Sequence, residues 1–98
     1  MQLQYDKAKL DRLCEQYNIN FLGLFGSYAR GEADSSSDID LLVEFSETPS
    51  LFQHVGIEQN FSEVLFNNKK VDLVQRKSLN KYISPHVLKD LRPIYEKR

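Results

Sequence analysis

The chain has one cysteine, Cys14, and no tryptophan in 98 residues. A single thiol excludes an internal disulfide and any multi-thiolate zinc cage. It fits a reduced, intracellular setting, so a cytoplasmic location is expected. Long apolar runs are also missing. None approaches the roughly 18 residues of a membrane span, and the opening "MQLQYDKAKL" lacks the apolar stretch of a signal peptide. No membrane role is expected. Positive charge is not in excess: 13 Lys and Arg stand against 14 Asp and Glu, a net charge of -1. Direct nucleic-acid binding, which clustered cations drive, is therefore not expected. The two histidines, His54 and His86, lack the spacing of a metal pair and read as surface residues. Repeats, linkers and low-complexity segments are absent, so residues 1–98 read as a single domain with one modest core.

What is present is hydrophobic periodicity. In "YDKAKLDRLCEQYN", Leu10, Leu13, Cys14 and Tyr17 fall on one helical face, and Asn18 is a stop signal. "INFLGLF", residues 19–25, reads as a buried strand ending at Gly26, and "SYARGEA" as a short helix. "DIDLLVEF", residues 38–45, is a second strand. Its alternation turns Ile39, Leu41, Val43 and Phe45 one way and Asp38, Asp40, Leu42 and Glu44 the other. After Pro49, Ser50 caps a helix with Leu51, Phe52, Val55, Phe61, Leu65 and Phe66 at helical spacing, closed by Asn67-Asn68. "KKVDLVQRK" is a third strand, with Asp72 and Val74 on one face. Ser84 as N-cap and Pro85 as first residue open a last helix, which Pro93 kinks or ends near Leu91–Arg92. The order α-β-α-β-α-β-α predicts an α/β (α+β) fold, a small mixed sheet packed with helices. The second and third strands, joined through a helix, are expected to be parallel; the relative direction of the first and second is open.

Asp38 and Asp40 share a face, roughly 6.6 Å apart along the strand. If the third strand pairs beside the second, Asp72 points from the same face. Three carboxylates repel one another unless a divalent cation lies between them. An all-oxygen donor set suits magnesium or manganese rather than zinc. Two such ions about 3.5–4 Å apart can clamp the attacking and leaving oxygens of a phosphoryl displacement. Separated from Asp38 by ten residues, Gly26-Ser27 offers close backbone approach and a helix start, both suited to a phosphate. A triphosphate held there, with metal at the acids, describes nucleotidyl transfer.

"GSYARGEADSSSDID" resembles the Gly-Ser, ten-residue gap, Asp-x-Asp signature of the DNA polymerase beta nucleotidyltransferase superfamily. The likeness is greatest to its minimal nucleotidyltransferases, the MNT family that includes MntA-type antitoxins. "RGEADSSSDIDLLVEF" and "KKVDLV" both look typical, and the resemblance covers nearly the whole chain. It implies a nucleotidyltransferase-like core in which Asp38, Asp40 and Asp72 bind metal, Asp72 also helping to deprotonate the acceptor. It implies that Gly26 and Ser27 hold the triphosphate of ATP. It further implies a HEPN-domain toxin as partner, modified with AMP on a tyrosine. The alternatives are an antitoxin that neutralises by binding alone and a subunit of a small-molecule (antibiotic) nucleotidyltransferase.

Other residues carry two readings each. Arg30 suits a phosphate and equally suits a solvated helix face. Glu44, on the acid face but further along, is the rival third ligand. Lys69, Lys70, Arg76 and Lys77 read as guards of a strand edge. Tyr17, Tyr28, Tyr82 and Tyr95 read as core or rim aromatics, with Tyr28 nearest the site. A calcium loop starting at Asp34 is excluded, because Ile39 stands where its glycine and Phe45 where its final glutamate is required.

Overall fold

Asp6 starts the first helix: its carboxylate accepts a hydrogen bond from the Lys9 amide at 3.1 Å. The helix, α1, runs Lys7–Gln16, and Asn18 follows it at φ 57°, the left-handed turn that asparagine tolerates. The structure is a computed structural model describing residues 2–97; Met1 and Arg98, the ends of the range read as one domain, lie outside the described residues. Next come β1, Ile19–Phe25, α2, Ser27–Arg30, and β2, Ile39–Phe45. Ser50 and Gln53 bond each other reciprocally, side chain to backbone amide at 3.2 and 2.8 Å, and so cap α3, Leu51–Leu65. Asn67 and Asn68, both at positive φ, close α3 and lead to β3, Val71–Gln75. A 3-10 turn at Arg76–Ser78, α4 at Ser84–Asp90 and β4 at Arg92–Glu96 complete the chain.

The four strands form one mixed sheet in the order β3-β2-β1-β4. β1 runs antiparallel to both β2 and β4, while β2 and β3 are parallel, as their helical connection requires. The alternation of β2 holds: Ile39, Leu41 and Val43 are fully buried in the main core. There they join Leu10, Leu13 and Cys14 of α1 and Ile57, Phe61 and Leu65 of α3. Burial pushes the Cys14 thiol up to about 12, so it remains a protonated core residue. On the opposite face α4 lies against β1. A side chain at Gly23 would meet Leu91 Cδ1 at 2.5 Å, so the missing Cβ sets how closely that segment approaches the sheet.

Several details of the fold differ from the sequence reading. The last helix ends at Asp90 with Leu91 as C-cap, close to where Pro93 was expected to end it, but the tail then forms a fourth strand that the reading lacked. Pro93 sits near its start on a sheet edge, where no ladder amide is needed. Secondly, α4 begins one residue earlier, with Ile83 as N-cap, Ser84 as first residue and no side-chain cap. Thirdly, Leu51, Phe52 and Val55 do not enter the core: Phe52 is 92% exposed, and Ile57 supplies the buried position instead. The periodic pattern is sound, but its first turn projects beyond the sheet. Finally, Tyr82 is exposed rather than in the core or at a rim, whereas Tyr28 is a core residue as read. Among the described residues no helix is long and apolar enough to cross a membrane.

Two phenylalanines on α3 therefore have opposite weights. Phe61→Ala empties a fully buried site and should cost about 3–5 kcal/mol. Phe52→Ala should stay within about 0.5 kcal/mol of the parent. Urea midpoints at constant slope measure both.

Candidate functional site

The register of two strand pairs builds the site. Asp40 is level with Asp72 across the parallel β2–β3 pair and with Phe25 across the antiparallel β1–β2 pair. Level residues on parallel neighbours point to the same face, their backbones about 4.8 Å apart. The turn after Phe25 then brings Gly26 against Asp40. Gly26 has φ 75° and ψ -153°, a conformation other residues avoid, and a Cβ there would lie 2.3 Å from Asp40 Oδ2. Only glycine lets the turn lie on the carboxylate. Ser27 follows as the first residue of α2, half-buried.

Asp38 lies one residue ahead of β2 and is exposed, with Lys70 Nζ 3.8 Å from its Oδ2. Its position is set by the preceding loop. There Asp34 Oδ1 accepts from the Ser36 amide and hydroxyl and from the Ser37 hydroxyl, which ties "DSSS" into a turn. Asp72 is exposed on the edge strand. The acids act on one another. Burial, then the charges of Asp72 and Asp38, holds the Asp40 carboxyl above its usual range; Arg30 and Lys70 pull it back down.

Arg30 is paired within the chain. Its Nη1 donates to Asp90 Oδ2 at 2.9 Å and its Nε to Glu32 Oε1 at 3.1 Å, which ties α2 to the end of α4. Glu44 is engaged elsewhere, 3.5 Å from Arg76 Nη1. Lys69 reaches the Ser35 carbonyl and Lys77 the Thr48 hydroxyl, so these cations brace loops around the β3 edge. A cleft of about 420 Å³ lined by Tyr17, Asn18, Thr48 and Pro49 lies at the other end of β1 and β2, away from the acids.

His54 is not the surface residue its isolation in sequence suggests. It is half-buried on α3, with Nε2 2.9 Å from the Leu73 carbonyl oxygen. Glu58, one turn on, accepts from the Leu73 amide at 2.8 Å. The i, i+4 spacing was readable, but its target on β3 was not. Asp90 was likewise missed, because only the folded chain brings it to Arg30.

Among the described residues, no three Asp, Glu, His or Cys side chains are already gathered as a metal cage. The donor set nevertheless fits a hard divalent cation. It is all oxygen, and a cation there would offset both the burial and the neighbouring acid charges that hold the Asp40 carboxyl above its usual range.

Fold and acids together describe the nucleotidyltransferase class. Residues 8–98 match the family described as "Polymerase beta, Nucleotidyltransferase", and the chain belongs to it. It is 40% identical over 84 residues to protein adenylyltransferase MntA of Thermococcus cleftensis, covering 86% of this chain and 83% of that protein. A solved toxin–antitoxin structure with AMP-PNP superposes with a TM-score of 0.77 at 22% identity, covering 95% of this chain and 75% of that one. A structure of tri-AMPylated Shewanella oneidensis HEPN toxin in complex with MNT antitoxin gives 0.68 at 20%, covering 93% and 70%. At such identities the two structures speak for the fold alone. Membership of the family implies a nucleotide substrate and a divalent metal.

Because the Asp40 value is raised in the folded state, its protonated form favours folding. That contribution is present below the ordinary carboxylate range and is lost as pH rises through the raised value. Asp40→Asn should therefore raise the melting temperature of the metal-free protein at pH 7, by a few degrees on the scale that about 1 kcal/mol sets for a domain this size. The gain should shrink below about pH 4. Calorimetry of both proteins across pH checks it.

Proposed function

We propose that residues 1–98 act as a single cytoplasmic nucleotidyltransferase domain that transfers AMP from ATP to a tyrosine hydroxyl of a HEPN-type toxin, serving as its antitoxin. The observation that carries this reading is the level pairing of Asp40 with Asp72, with Gly26 lying on Asp40. The 40% identity to a protein adenylyltransferase supports AMP as the transferred group. The HEPN toxin named with the structural neighbour supports the partner.

In this reading Asp38, Asp40 and Asp72 are the catalytic acids and hold magnesium, two ions, with manganese able to substitute. Bound there, the metal would neutralise charge on the α-phosphate and on the leaving pyrophosphate. Gly26 presents backbone without a side chain, and the Ser27 hydroxyl donates to a phosphate oxygen. Arg30 spends two of its five N–H donors on Glu32 and Asp90, and in this reading it joins the nucleotide site with others while those pairs hold it in place. The acceptor oxygen attacks the α-phosphorus, a new P–O bond forms, and the bond to pyrophosphate breaks. The hydroxyl proton passes to Asp72, an exposed acid on the edge strand. Most of the rate comes from positioning and charge neutralisation. No contact with nucleic acid or membrane is needed.

Incubation with labelled ATP, magnesium and the product of the adjacent gene should leave covalent AMP on that protein. Asp38→Asn with Asp40→Asn should reduce labelling on the order of a thousandfold or more while circular dichroism stays unchanged. A tight complex without label would instead identify a neutraliser that acts by binding, and full labelling by the double variant would overturn the metal assignment.

A further inference from the structure

β3 is an edge strand with β2 on one side and, among the described residues, no strand on the other. The Ile39 amide donates to the Lys70 carbonyl at 2.9 Å, and this fixes which residues face β2. Backbone direction alternates, so Lys70, Asp72 and Val74 turn their amides and carbonyls to β2, and Leu73 turns both of its own outward. An outward pair on an edge is ordinarily left to water or to another chain. Here both groups are taken. Glu58 Oε2 accepts from the Leu73 amide at 2.8 Å, and His54 Nε2 stands 2.9 Å from the Leu73 carbonyl. A carbonyl only accepts, so Nε2 carries the proton. The other ring nitrogen faces Gln75 Nε2 at 3.5 Å, and Phe45 meets the ring edge-on. The two side chains are one helical turn apart on α3, both only partly exposed, with Nε2 and Oε2 3.7 Å from each other. Together they take the place of a missing neighbouring strand at the residue beside Asp72.

We infer that His54 and Glu58 are positioning residues for Asp72. This rests on the reading of Asp72 as a site acid. A strand held on one side only can shift along its neighbour, and in a parallel pair a shift of one residue turns Asp72 away from Asp40. Gripping Leu73 from α3 holds β3 level with β2, because α3 is fixed by its own buried residues Ile57, Phe61 and Leu65. Neither His54 nor Glu58 touches nucleotide or metal in this scheme.

The test uses Mn²⁺ affinity in the presence of a non-hydrolysable ATP analogue, read by electron paramagnetic resonance, together with hydrogen exchange of the Leu73 amide in the metal-free protein. Glu58→Ala and His54→Ala should each weaken Mn²⁺ binding about tenfold, the usual scale for a lost supporting contact. In Glu58→Ala the Leu73 amide should exchange at least tenfold faster. Glu58→Gln keeps an acceptor oxygen and should stay within about twofold of the parent in affinity. Combined with Asp72→Ala, the loss of Glu58 should add nothing further. A lower melting temperature with unchanged Mn²⁺ affinity in the folded protein would mean a structural role alone and would overturn the inference, as would full additivity with Asp72→Ala. If Asp72→Ala itself leaves Mn²⁺ affinity untouched, the third-acid assignment falls and the inference with it. If Asp72→Ala weakens binding and the two α3 variants do not, the inference alone falls.

Discussion

Two carboxylates level on neighbouring strands are the constraint around which this fold is organised. Asp40 faces Asp72 across a parallel ladder, and the Gly26 turn closes on it from the antiparallel side. β2 therefore needs both kinds of partner at once. A parallel neighbour requires a crossover, and the 15-residue α3 provides it. An antiparallel neighbour permits the short connection through α2 and the serine loop. The topology follows from placing one acid between a second acid and a glycine.

That arrangement works against stability where it stands. A half-buried carboxylate beside two others favours its neutral form. The rest of the molecule offsets this with a one-sided core built from α1, α3 and the inward faces of three strands. The acid-bearing face is covered only in part, by α4 over β1. A face left open in this way keeps the acids within reach of a group presented from outside the sheet.

Much of this was legible in the sequence, and the exceptions have physical causes. Asp38, Asp40 and Asp72 showed through the period-two alternation of their strands, because a charged residue inside an apolar run declares its face. Gly26 showed through its place after a strand, though the contact that requires glycine there is tertiary. β4 was hidden by Pro93, which reads locally as a breaker but is harmless on a sheet edge. Leu51 and Phe52 carried the right helical period, yet period alone does not tell how far a helix overhangs the sheet beneath it. His54, Glu58 and Asp90 were opaque for another reason: their partners, Leu73 and Arg30, lie 19, 15 and 60 residues away.

The two margins of the sheet share one more property. On β4, Lys7 of α1 donates to the Ile94 carbonyl at 2.8 Å, beside a proline that offers no amide. On β3, Leu73 is occupied from α3. Both borders are thus blunted by side chains from helices that belong to the core. At these two positions a further strand would find the outward carbonyl already occupied, so each border offers less to backbone pairing than a bare edge would.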